Sequence, residues 1–427
     1  MTKMKESGID WIGQIPEEWE VAKVNHIFEE HKQKNRGNKE KNLLSLSYGR
    51  IIRKSIDSSF GLLPESFDTY NIIQRGDIVL RLTDLQNDKR SLRVGLAREN
   101  GIITSAYLTL RLKNLESNDS YMYYLLHTYD ICKVFYNFGG GVRQGGTWSD
   151  IYKMELLIPP CNEQQKIADF LDKKTAQLDK AKALLEEQIQ KLKDYRASLI
   201  YETVTKGLDK AVPMKDSGIN WIGQVPGGWG VSKLKHLLKI KDGTHDTPSY
   251  VDSGIPLITT KNINSFSNYI DFSTAKNISY KDYILINRRS DVEYGDVLMP
   301  MIGTVGGAVQ VTTINSFSIK NVALFKTGFD LIMSKYLYYQ LNSALVNDQL
   351  EFLMSGGVQS FVSISILEQL QIINPSDKDK KKIVRFLDKK IQQVDKLIQI
   401  KNQQIENINK QRQTLIYDYV TGKRRIY

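Results

Sequence analysis

The chain has 427 residues, 41% apolar and 25% charged, with 59 Lys and Arg against 48 Asp and Glu for a net charge of +11. Those proportions exclude a disordered, collagen-like or fibrous chain, and no apolar run approaches the roughly 18 residues of a membrane span. The length predicts two to three domains, the positive surplus points to a polyanionic partner, and two cysteines, Cys132 and Cys161, cannot build a disulfide framework or a four-cysteine zinc site.

In chain order, the first segment is MKESGIDWIGQIPEEWEVAKVNHIF, Met4 to Phe28. It lacks the apolar core of a secretion signal, and with two reduced thiols this predicts a cytoplasmic protein. Short β-like runs between turn residues follow at Leu43 to Tyr48, Gly76 to Leu82 and Ala106 to Leu112. Tyr121 to Tyr136 predicts a helix whose tyrosines face a core. Leu171, Leu178, Leu185, Leu192 and Leu199 then recur every seven residues, with Thr175, Lys182, Ile189 and Arg196 between them. This is the seam of a coiled coil, and Gly207 stands where its C-cap belongs. The second half offers a strand at Val322 to Thr327 and a helix at Ser334 to Gln349. It closes on Leu387, Val394, Lys401, Ile408 and Leu415, with companions Ile391, Ile398, Ile405 and Arg412. At about 1.5 Å per residue, about 40 residues of helix span on the order of 60 Å. The Leu-rich and Ile-rich seams predict an intramolecular pair.

The chain repeats itself. Met4 to Phe28 aligns with MKDSGINWIGQVPGGWGVSKLKHLL, Met214 to Leu238, at an offset of 214 − 4 = 210, with 14 of 25 positions identical. FLDKK at Phe170 returns at Phe386, an offset of 386 − 170 = 216, and LIY at Leu199 returns at Leu415. Between these blocks, 29–157 and 239–373 share only echoes, such as Gly76-Asp77 with Gly295-Asp296. The plan is constant, variable, helix, twice over: one fold with two different working surfaces. It predicts an α+β chain in which two compact mixed modules alternate with two long helices in a pseudo-two-fold repeat. The boundaries are 1–159, 160–207, 208–374 and 375–427.

Loops of both variable segments interleave positive charge with amide, hydroxyl and aromatic groups. In the first they hold Tyr48, Arg50, Arg53 and Lys54; Arg81, Thr83, Asp84, Gln86, Lys89 and Arg90; and Arg143 with Gln144. In the second they hold Lys241, Thr244, His245 and Thr247; Lys261 and Asn262; Arg288 and Arg289; and Gln359 with Ser360. Lys and Arg neutralise phosphates, and Arg, Asn and Gln can address base edges. These are the candidate DNA-binding residues.

No catalytic motif accompanies them. There is no P-loop sequence, and Phe138 to Val142, FGGGV, lacks the partner motif of a methyltransfer cofactor loop. None of the five histidines falls in a metal-ligand spacing, and no acidic cluster beside a Lys suggests a metal nuclease. Three readings remain open: a DNA-recognition subunit without its own activity, a coiled-coil adaptor, and a self-contained methyltransferase or nuclease.

The whole chain resembles the specificity subunits of type I restriction–modification systems. The resemblance rests on SGIDWIGQIPEEWEV and SGINWIGQVPGGWGV, on GVRQGGTWSDIYKMELLIPPCNEQQKIADFLDKK, on DGTHDTPSYVDSGIPLITTKNI, and on the order of module and helix. It implies that the two modules are target-recognition domains, each reading half of an asymmetric bipartite site in double-stranded DNA. It implies helices that pack as an antiparallel coiled coil, set the unread spacer and dock two methylation subunits, with two motor–nuclease restriction subunits joining. S-adenosylmethionine, ATP and Mg would belong to those partners and no cofactor to this chain. The second copy departs from the first, with Gln359 and Ser360 at the places of Arg143 and Gln144.

Overall fold

The computed structural model describes residues 3–54, 66–85, 92–113, 116–137, 145–303, 306–354 and 361–426. The chain forms two compact units, residues 1–186 with 402–427, and residues 187–401. Among the described residues the helices of eight residues or more are α1 (Asp119–Ile131), α2 (Cys161–Lys206), α3 (Tyr280–Asn287), α4 (Leu331–Leu341), α5 (Ala344–Met354) and α6 (Asp377–Val420). None is long and apolar enough to cross a membrane.

In unit 1 the opening signature folds as a hairpin, Met4–Glu6 against Gln14–Pro16, with Met4 opposite Pro16. Its turn needs left-handed backbone at Gly8 and Gly13, φ +78° and +70°, where a Cβ would be strained. Ile12, Ile15 and Trp19 go into the core. The following strand, Glu20–Lys23, pairs with Glu155–Ile158, so the opening segment also closes the module. Between them lie four antiparallel strands in the order Phe28–Glu30, Leu108–Leu112, Ile78–Leu80, Val94–Leu96.

Unit 2 repeats this frame. Met214–Asp216 pairs with Gln224–Pro226 in the same register, and Gly230–Lys233 pairs with Gln371–Asn374. Its matching sheet runs Lys239–Asp242, Val322–Lys326, Val297–Pro300, Val309–Gln310. The Gly-Asp echo marks one corner of both sheets. Gly76 and Gly295 turn at φ +95° and +88°. Buried Asp77 takes Arg111 at 2.8 Å, and buried Asp296 takes Lys326 at 2.7 Å.

The modules part company in their second layer. Unit 1 has two strand pairs, Leu44–Ser47 with Arg50–Arg53 and Asn71–Ile73 with Gly101–Ile103. Unit 2 has a second four-stranded sheet that includes a parallel contact, Leu257 opposite Ser318.

In both units a buried tyrosine helix fastens the frame to the long helices. Asn118 and Asp330 cap α1 and α4 by accepting backbone N–H bonds, as short polar N-caps do. Tyr121 and Tyr336 donate to Leu157 O and Ile373 O, each at 3.1 Å. Tyr124 and Tyr339 donate to Asp172 and Asp388, at 2.7 and 2.6 Å. Asp388 is the repeat-equivalent of Asp172, since 388 − 172 = 216.

The helix segments pack antiparallel within each unit. In unit 1, Phe170 meets Tyr419 and Asp179 meets Arg412. In unit 2, Gln188 meets Lys401 and Arg196 meets Asp395. The seam differs in one respect from the every-seventh leucines. Leu171, Leu387, Val394 and Ile398 are buried. Leu178, Leu185, Leu192 and Leu199 are half-buried, as are Ile405, Ile408 and Leu415. The companion residues Thr175, Ile189 and Arg196 are the more deeply buried row. A seam alternates steps of three and four, so a seven-residue count picks out only one of its two rows.

Candidate nucleic-acid interface

In unit 1 the candidates sit on two neighbouring features. The hairpin turn carries Tyr48, 84% exposed and at φ +47°, next to Gly49. Any Cβ at Gly49 would lie 3.0 Å from Leu92 Cβ, so glycine lets this turn rest on the strand that follows the second loop. Arg53 donates from Nε to Glu99 at 2.7 and 2.9 Å, and this pairing holds the Glu99 carboxyl below its usual pKa. Lys54 is exposed. Arg50 turns toward the long helix and pairs with Asp179.

The second feature is the loop bearing Arg81, Thr83 and Asp84, all half-buried. Fully buried Arg93 shapes it. Its Nη1 donates to Arg81 O and Thr83 O at 3.0 and 2.6 Å, and its Nη2 to Asp84 O at 3.3 Å. A guanidinium with several fixed donors satisfies carbonyls that would otherwise be lost to water. Asp84 takes left-handed backbone there, φ +54°. Arg93 closes the sequence LRLTDLQNDKRSLR, but nothing local in that sequence distinguishes it from Arg81 and Arg90. Gln86, Lys89, Arg90, Arg143 and Gln144 lie outside the described residues, as do Gln359 and Ser360 of the second module.

In unit 2 the candidates converge. Gly243 turns the chain after the strand Lys239–Asp242, where a Cβ would sit 2.1 Å from Ile319 O. This brings Thr244 beside Lys320 and places His245 Nδ1 2.9 Å from Asn321 Oδ1. Thr247 accepts from Lys320 Nζ. His245 Nε2 is 2.9 Å from the carboxylate of buried Asp242, which also binds Arg289. Lys241, next on the strand, pairs with Asp291. Partial burial pushes the Asp291 carboxyl up, but Lys241 and Lys326 outweigh it and leave it below its usual range.

Beside this network opens a cleft of about 540 Å³ lined by Tyr250, Lys261, Asn262, Lys276, Lys320 and Asn321, among others. The Lys276 ammonium stands 4.4 Å from the Tyr250 ring centre. Asn262 is not an outward-facing group. It is buried, accepts from Thr259, and donates to Asp271 O at 3.2 Å, so it braces the cleft wall. Lys261 and Arg288 are exposed. Phe361 stacks edge-on to His245 at 6.0 Å. The surface is cationic and concave, with polar groups fixed by buried partners. Among the described residues no group of three His, Cys, Asp or Glu is placed to hold a metal ion.

One family model, the "Type I restriction modification DNA specificity domain", matches the chain twice, at residues 16–193 and 226–410. The chain belongs to this family. It is a DNA-sequence specificity subunit, and its two matches begin at repeat-equivalent prolines, Pro16 and Pro226. Similar relatives from Methanocaldococcus jannaschii are the type I restriction enzyme MjaVIII specificity subunit and the putative MjaX specificity subunit. The first is 23% identical over 424 residues, covering 96% of this chain and 94% of the relative. The second is 23% identical over 434 residues, covering 97% and 96%. A chain from a structure on complex assembly and conformational transition of the type I system shares the fold. It has a TM-score of 0.66 and 15% identity over 95% of this specificity subunit and 98% of that chain.

Proposed function

We propose that each variable module of this specificity subunit reads one half of an asymmetric, bipartite site in double-stranded DNA. The observation that carries this is a repeated frame holding two unlike cationic surfaces. The hairpin, sheet and tyrosine helix recur, whereas the second layer and its basic loops differ. Two different readers on equal frames fit two different half-sites.

In this reading the chain performs no chemistry. The long helices set the unread spacer and dock two methylation subunits, and two motor–nuclease subunits complete the assembly in the cytoplasm. S-adenosylmethionine, ATP and Mg belong to those partners. The net charge of +11 supports the DNA contact, because phosphate neutralisation releases counterions.

The test is a binding titration of the full chain with its methylation subunit on duplex DNA between 50 and 200 mM salt. With six or more phosphate contacts, affinity should fall about a thousandfold or more. Association of the two proteins without salt-sensitive DNA binding would instead favour a coiled-coil adaptor.

A further inference from the structure

We propose that buried Asp242 is a positioning residue that presents Arg289 to a guanine in the half-site read by the second module. This rests on the bipartite reading above and deepens it.

The geometry is specific. Arg289 donates from Nε and Nη2 to the two carboxylate oxygens of Asp242, each at 2.7 Å. The Asp242 side chain is 7% exposed and that of Arg289 is 57% exposed. One edge of the guanidinium is therefore anchored in the protein while the rest faces outward. The outer edge keeps one N–H on Nη1 and one on Nη2, parallel and coplanar, and among the described residues nothing occupies it. Two parallel donors at that spacing match guanine O6 and N7, the commonest specific contact in the major groove.

Anchoring changes the energetics. A free surface arginine loses rotamer freedom on binding. Arg289 has surrendered much of it already. The same carboxylate also holds His245, which leans on Phe361 and Asn321. One buried acid thus orders two side chains beside the Lys-rich cleft. A plain surface ion pair would not need a buried acid at the end of a strand, or a glycine that brings the next turn onto Ile319. Arg289 also follows α3, none of whose residues is buried, so the segment that delivers it stands out from the core.

The experiment maps the modified motif in cells expressing the full chain with its methylation subunit, and measures duplex binding of the same complex. The variants are Arg289→Lys, Arg289→Ala and Asp242→Asn. Arg289→Lys keeps the charge and loses the fork. It should relax one guanine in one half-site, cutting discrimination at that base by about 5- to 150-fold, with the other half-site unchanged. Asp242→Asn should loosen the same base by less. Melting curves show whether Asp242→Asn still folds, and Arg289→Lys tests the proposal if it does not. An unaltered motif with both Arg289 variants overturns it. So does affinity that drops equally on every sequence with a salt slope smaller by about one, the mark of a phosphate contact. If the unmutated chain yields no two-part motif, it is the bipartite reading that fails.

Discussion

His127 lies on α1, 2% exposed, with an Nδ1 that meets no partner among the described residues. Burial, aided by the nearby Arg412 cation, pushes its pKa down to about 4. An unfolded histidine titrates near 6.5. Between those values the unfolded chain holds the extra proton, so stability falls as pH drops from 6.5 toward 4. By pH 5 the loss should reach about 2 kcal/mol, at 1.36 kcal/mol per unit. His127→Phe should remove that slope in chemical denaturation followed from pH 7 to 5. An equal slope in both proteins would place the titration elsewhere. Arg93 makes a related point. In sequence it is indistinguishable from Arg81, because what separates them is the set of carbonyls that Arg93 meets after folding.

Among the elements, the antiparallel helix segments carry two repeat-related ion pairs. Arg196 faces Asp395 at 3.3 Å and Arg412 faces Asp179 at 3.8 Å, and both pairs obey the offset of 216: 412 − 196 and 395 − 179. Arg196 is the better seated, donating to Phe266 O at 2.8 Å with its guanidinium 4.4 Å from the Phe266 ring. Burial holds the Asp395 carboxyl above its usual pKa although Arg196 pulls the other way. A polar pair inside a seam specifies register more than it adds stability. Asp395→Leu alone should cost about 1–3 kcal/mol, less than for a fully buried pair because Asp395 is 38% exposed. Arg196→Met with Asp395→Leu should recover most of it. Urea denaturation decides: a double variant no better than the single would mean that the residues are not coupled. The heptad made both helices legible in sequence. It could not show the pairing of arginine with aspartate, because that joins residues of different helices.

For the molecule as a whole, the recurrence of identical residues exposed the repeated opening segment, the long helices and the alternation of constant and variable segments, but not that the opening segment folds as a hairpin. The tyrosine ladder was visible only as two similar strings, YMYYLL and YLYYQL, and their role as anchors depends on Asp172 and Asp388. The pairing of Glu20–Lys23 with Glu155–Ile158 spans a whole variable segment and has no local signal. Neither has the seating in unit 1 of the residues that follow α6. There Gly422 abuts Pro16 and Trp19, Lys423 donates to Ile12 O at 2.8 Å, and Arg425 shares Glu163 with the Trp19 indole. In sequence the candidate residues read as residue types in loops, whereas Arg50, Arg53 and Lys241 lie on strands. The site's organisation around Asp242 has no sequence signal, since that acid is one more carboxylate in a stretch read as a loop, and only the structure sets it at the end of the strand Lys239–Asp242.

In the proposed function, two unlike modules on one frame read two unlike half-sites. Its most direct test is modification-sensitive long-read sequencing of DNA from cells expressing this chain with its methylation subunit, against cells lacking only this chain. A new asymmetric motif in two parts, separated by a fixed unread spacer and present only with this chain, is the predicted result. A motif in one part, or no new methylation from two folded and associated proteins, would contradict the claim.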